Sequence, residues 1–86
     1  MLNKLIIEIT DELARAEKLH PDFPADLIRQ VAIMSEEAGE AVKAANNTIH
    51  HGECISEVRT ELIHTAAMCL RCLVALDADS AQMDLF

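Results

Sequence analysis

The chain has 86 residues, 51% hydrophobic but only 2% aromatic, with 15 acidic against 7 basic residues and a formal net charge of -8. That length holds one domain, residues 1–86, near the lower limit for folding alone. The acidic balance argues against a nucleic-acid polymer as partner, since a basic stripe is the usual footprint of such binding. With no Trp or Tyr, two Gly and two Pro, the core falls to Leu, Ile, Val, Ala and Met on packed helices, and an all-β fold lacks material for its turns.

In chain order, Leu2, Leu5, Ile6, Ile9, Leu13 and Ala16 follow helical spacing and predict an amphipathic helix over residues 2–19. The apolar run Leu5 to Ile7 is followed by Glu8, Asp11 and Glu12. It reads neither as a signal peptide nor as a membrane span, which takes about 18 apolar residues. The expectation is a soluble, cytoplasmic protein with no membrane partner.

"HPDFP" interrupts the first helix: Pro21 blocks continuation, and Pro24 suits the first position of a second helix with Asp26 in its first turn. This second helix is predicted over residues 24–46, ending in the polar segment "NNTIHHGE". A third runs from Cys54 or Ser56 to Leu76, leaving "DADSAQMDLF" as a frayed tail or one that docks Met83, Leu85 and Phe86 on a neighbour. The reading is all-α, with three helices per chain. From Leu62 to Leu76 the third helix is apolar almost all round, Arg71 being its one charge. A helix of that kind is normally buried. Three short helices cannot cover it, so completion into a larger bundle as a homodimer or homotetramer is expected.

The stretch "SEEAGEAVKA" places Glu36, Glu37 and Glu40 within two turns, with Gly39 among them and Lys43 as sole offset. Like charges at this spacing repel by roughly 0.2–0.5 kcal/mol per pair, and Gly costs a helix interior about 1 kcal/mol against Ala. On a helical wheel the apolar sector holds Leu27, Val31, Met34, Ala38, Ala41 and Ala45. Glu37 flanks that sector, Glu40 lies further out and Glu36 leans to solvent. On the third helix Glu57, Glu61 and His64 line one side, continued by Met68, Cys72 and Ala75. Carboxylates at helix–helix junctions need partners, and the chain offers few cations. A divalent metal between the two faces satisfies both, whereas an acidic run on one helix alone is usually just a solvated face.

"EEAGE" followed by "ELIH" resembles the paired E-E-x-x-E and E-x-x-D motifs of the MazG-like all-α nucleoside triphosphate pyrophosphohydrolases. The flanking "AIMSEEAGEAVKA" and "RTELIHTAAMCLRCL" are similar to small members of that family, and the likeness spans about residues 18–76. It implies Mg²⁺ at Glu37, Glu40, Glu61 and His64, and hydrolysis of a nucleoside triphosphate substrate to monophosphate and pyrophosphate. His64 departs from the motif, which has Asp there. Mg²⁺ takes oxygen ligands, while imidazole suits Mn²⁺, Co²⁺, Ni²⁺ or Zn²⁺, so a shift towards Mn²⁺, a phosphate or water contact by His64, and reduced activity all stay open.

Glu36 and Glu57, each one turn from an assigned ligand, are the candidate general bases. Lys43 and Asn47 extend the Glu40 side towards phosphate or sugar, although Lys43 also suits an ordinary helical pair with Glu40. The resemblance implies a base-binding pocket near the first interhelical loop, which makes His20 and Phe23 stacking candidates; a hydrophobic staple or dimer contact suits Phe23 equally. Cys69 and Cys72 form a C-x-x-C inside an apolar helix and read as packing, and His50 and His51 as solvent-facing. Glu61-x-x-His64 is also the pair used by di-iron or di-manganese carboxylate bundles, and a non-catalytic helical interaction module is a third class of function.

Overall fold

A computed structural model describes the backbone of residues 1–83 and the side chains of residues 1–78. Three helices, α1 (Leu2–Leu19), α2 (Leu27–His51) and α3 (Ile55–Met83), account for the architecture, and no strand occurs among the described residues. α1 and α2 each pack on α3 and not on one another, so α3 forms the middle of a three-helix layer.

α1 stops where expected. His20 leaves the helix at φ -132° and ψ 73° while its N–H still donates to the Ala16 carbonyl, and Pro21 blocks another turn. α2 begins at Leu27 rather than Pro24, because Asp26 is its N-cap: extended at φ -78°, ψ 123°, it accepts from the Arg29 N–H at 3.0 Å. Gln30 reaches back with Nε2 to the Pro24 carbonyl at 2.7 Å and holds the incoming loop against the helix.

At the other end, "NNTIHH" continues the helix to His51 instead of forming a loop. The stop is Gly52, whose φ of 68° is the left-handed conformation a side chain disfavours, and its N–H caps the Asn47 carbonyl. α3 starts at Ile55 and runs past Leu76 to Met83, since the residues after Leu76 contain neither Gly nor Pro to end it. The Met83 side chain, Leu85 and Phe86, offered above for docking, lie outside the described residues.

The buried interior is thin. Ala41, Ala44 and Ala67 are the buried hydrophobic residues, Gln30 and Arg71 the buried polar ones, and no large side chain is fully enclosed among the described residues. Small side chains let α2 and α3 approach closely, and polar ties fix their register. Cys72 Sγ donates to the Gln30 carbonyl at 3.4 Å, Arg59 of α3 pairs with Glu8 of α1, and Arg71 donates to the His20 carbonyl at 2.6 Å. No helix of the described residues is long and apolar enough to cross a membrane.

Candidate metal centre

Helical spacing brings Glu57, Glu61 and His64 to one side of α3, and the α2–α3 register sets Glu37 opposite them. The His64 ring lies at the junction of all three helices. Its Nδ1 is 3.5 Å from Glu61 Oε2 and 4.0 Å from Glu37 Oε2, while Nε2 is 3.7 Å from Glu12 Oε2 of α1. One ligand atom each from Glu37, Glu61 and His64 lies within 4.8 Å of the others. Ligands at about 2.0–2.2 Å from an ion stand roughly 3–4 Å apart, so these three atoms lie only a little wider than donors to one ion would. All three residues are part-buried, which limits competition from water while leaving room for more ligands.

The donor set of two carboxylates and an imidazole fits a divalent first-row ion, Mn²⁺ included, better than Mg²⁺, which takes oxygen ligands. Of the four ligands expected, the structure brings three together. Glu40 stands in the adjoining cleft of about 110 Å³ with Lys43, Asn47, Glu53, Glu57 and Glu61, so Glu61 borders both places. Lys43 makes no ion pair among the described residues and faces this cleft rather than closing on Glu40. Glu36 is exposed and lines neither the cleft nor the recesses beside His64.

On the other side of His64, a recess of about 180 Å³ bordered by Glu12, Arg15, His20 and Glu37 adjoins a cavity of about 310 Å³ lined by His20, Phe23, Ile33, Glu37, Met68 and Arg71. His20 and Phe23 thus stand in one cavity, and Glu37 links that cavity to the His64 cluster. The Arg71 guanidinium lies 4.5 Å above the Phe23 ring centroid. It is a buried cation, 8% exposed, with no carboxylate within ion-pair distance among the described residues.

Three residues beside this centre escaped the sequence reading. Glu12 accepts from Arg15 through both carboxylate oxygens, at 2.8 and 2.6 Å. Those hydrogen bonds hold its carboxyl below the ordinary range against the opposing pull of burial, and the nearby His64 adds to the lowering. The signal was present: Glu12 falls on the stripe of Leu5, Ile9 and Ala16, where a core residue belongs. Glu53 follows Gly52 in the short connection, without periodicity to place it. Arg71 was visible as the lone charge on an apolar helix, but its partners on the loop after α1 were not.

No protein-family model matches the chain, and neither does any curated protein or solved structure.

Proposed function

We propose that the protein is a divalent-metal-dependent nucleoside triphosphate pyrophosphohydrolase, converting a ribo- or deoxyribonucleoside triphosphate to the monophosphate and pyrophosphate. The convergence of Glu37, Glu61 and His64 within 4.8 Å carries the reading. These residues come from "EEAGE" and "ELIH", the two stretches that resemble the MazG-like motifs, and they lie on separate helices that pack together.

Glu37, Glu61 and His64 would hold the cation, with Glu40 in the cleft that Glu61 also borders. When bound, the ion neutralises phosphate oxygens and the charge that develops on them. Glu57, in the cleft beside Glu61 and Glu40, suits the general base: its carboxylate takes a proton as water oxygen bonds to the α-phosphorus and the α–β bridging bond breaks, releasing pyrophosphate. Glu36 is the weaker candidate because it lies outside the cleft. Lys43 and Asn47 supply a cation and an amide for phosphate or sugar, and Phe23 with His20 offers a ring surface for the base. The chain would act as a homodimer or homotetramer, since the single chain leaves its apolar residues largely uncovered.

A second reading rests on Glu12. A third carboxylate beside the Glu61-x-x-His64 pair matches the donors of dinuclear iron or manganese helical proteins. One assay separates the two. Purified protein is offered a panel of nucleoside triphosphates with Mg²⁺ or Mn²⁺ and pyrophosphate release is scored. Release abolished by Glu61→Gln supports the hydrolase. No release from any nucleotide with either ion rejects it, and iron-dependent absorbance then favours the dinuclear alternative.

A further inference from the structure

Arg71 is a charge only 8% exposed on an apolar stretch of α3, and ion pairing does not account for its burial. Removing a guanidinium from water is costly unless other groups take over its hydrogen bonds. Among the described residues it donates one such bond, from Nη2 to the His20 carbonyl at 2.6 Å, and lies over Phe23. A guanidinium carries five N–H donors, arranged as two forks that share Nη2. Spending one Nη2 hydrogen on His20 breaks one fork and leaves the other whole. No buried side-chain nitrogen lacks a partner among the described residues, so Nε and Nη1, which have none there, reach accessible space. That space is the cavity of about 310 Å³ that Arg71 lines with His20, Asp22, Phe23 and Glu37.

We infer that Arg71 reads the nucleobase of the substrate and selects one with two neighbouring acceptors, guanine through N7 and O6 or cytosine through N3 and O2. The inference rests on the nucleotide reading above. Paired acceptors match the open fork, as arginine matches guanine in the major groove of DNA. Adenine sets an amino donor beside N7 and beside N1, so one prong of the fork would meet a donor. Uracil and thymine carry two carbonyls, but N3–H separates them. The walls decide the charge of the ligand. Asp22 and Glu37 border the cavity, and carboxylates there disfavour an anion, the other natural partner of a lone guanidinium. A neutral base with N–H donors of its own suits both kinds of wall: Asp22 can accept from guanine N1 and N2 or from cytosine N4. Glu37 belongs both to this cavity and to the His64 cluster, which makes base and triphosphate parts of one continuous site. Phe23 and His20 then contribute ring surface, and the choice of base falls to Arg71.

The test separates binding from hydrolysis. Isothermal titration in EDTA, at millimolar ligand, compares GMP, CMP, AMP and UMP with 7-deaza-GMP, which lacks the N7 acceptor. A good bidentate contact discriminates between bases by about tenfold or more, so GMP or CMP should bind tighter than AMP and UMP by that factor. Guanine as the chosen base predicts that 7-deaza-GMP loses the advantage; cytosine predicts CMP in front. Arg71→Lys keeps the charge but has no fork and should bring the four affinities together, whereas a purely structural role would weaken all four and keep their ratios. The wild-type comparisons stand even where this variant fails to fold. Hydrolysis of the four triphosphates, compared by kcat/KM, should follow the same order. Preferential binding without pyrophosphate release keeps the inference and rejects the hydrolase; release with equal kcat/KM and equal binding for all bases does the reverse. No binding of any monophosphate, AMP or UMP as tight as the better of GMP and CMP, 7-deaza-GMP as tight as a preferred GMP, or unchanged ratios in Arg71→Lys would each overturn the inference.

Discussion

The His64 ring on α3 faces the Glu12 carboxylate on α1 across 3.7 Å from Nε2, while its Nδ1 points to Glu61 and Glu37. With a cation held by Glu37 and Glu61, Glu12 would be the carboxylate left to take the ring proton at Nε2, freeing Nδ1 to coordinate. Arg15 in turn pins Glu12. α1 thus borders the candidate centre through Glu12 and would orient a ligand there, without supplying one of the three clustered donors.

Replacing Glu12 with Gln should loosen that orientation. Partners of ligating histidines are worth about 10–100-fold in metal affinity, so isothermal titration with Mn²⁺ should find Glu12→Gln at least about tenfold weaker than wild type. Arg15→Gln, which leaves the carboxylate in place, should lose less. Equal affinity in wild type and Glu12→Gln would make the His64–Glu12 approach incidental.

Metal should also raise the melting temperature. An ion at 100 times its dissociation constant adds about 2.7 kcal/mol, which for a domain of this size is a shift of roughly 10 °C or more. Thermal scans with and without Mn²⁺ should show it in the wild type and little of it in Glu37→Gln or Glu61→Gln. If the wild type melts identically in EDTA and in millimolar Mn²⁺, no centre exists at these residues.

Acid should weaken α1 and its tie to α3. Glu8 and Glu12 are both held below the ordinary carboxylate value of 4.5, Glu8 by its hydrogen bond to Arg59 and Glu12 by Arg15. A lowered folded-state pKa adds stability that is complete above the unfolded value and disappears as pH falls through the folded one. Urea midpoints should therefore hold steady above about pH 5 as far as these two groups are concerned, then drop below the ordinary value of 4.5. Arg59→Gln removes the Glu8 share and should flatten that drop; an unchanged acid limb in this variant would show the α1–α3 pair to be without effect.

Arg71 is a stability question with a site beside it. Its guanidinium covers Phe23 and satisfies the His20 carbonyl. Hydrogen bonds to charged groups contribute about 1.5–3 kcal/mol, so Arg71→Met should destabilise by about 2 kcal/mol in urea unfolding. A double-mutant cycle with Phe23→Leu should return a coupling of about 0.5–2 kcal/mol. Zero coupling would mean that the stacked geometry carries no energy.

The fold was legible where local chemistry decides it. Pro21 marked the end of α1, and the repeat in Leu2, Leu5, Ile9 and Leu13 marked its length. The end of α2 was misplaced because two asparagines and two histidines look like a loop, whereas the actual terminator is the one residue that tolerates φ of 68°, Gly52. Within the site, Glu37, Glu61 and His64 were legible because each motif lies on a single helix and periodicity fixes its face. The partners of Glu12 and Arg71 were not, because each lies 51 or 52 residues away in sequence, and no local pattern carries such a distance.

With a cation at the candidate centre, His64 should decide which ion is preferred. Where the MazG-like motif has an Asp, this chain puts an imidazole whose Nδ1 lies 3.5 Å from Glu61. Mg²⁺ gains little from a nitrogen donor, while Mn²⁺ accepts imidazole and carboxylate together. The wild type should therefore bind Mn²⁺ more tightly than Mg²⁺, with a larger ratio than an all-oxygen site gives. Changing His64 to Asp restores oxygen donors throughout and should lower the Mn²⁺-to-Mg²⁺ affinity ratio several-fold. The same change brings a fourth carboxylate to Glu12, Glu37 and Glu61, so the metal-free variant should be less stable than the wild type and gain more from either ion. Titrations of both proteins with both ions, paired with melts in EDTA, measure the two effects separately. A His64→Asp variant with the wild-type ratio would exclude His64 as a ligand, whatever its melting temperature.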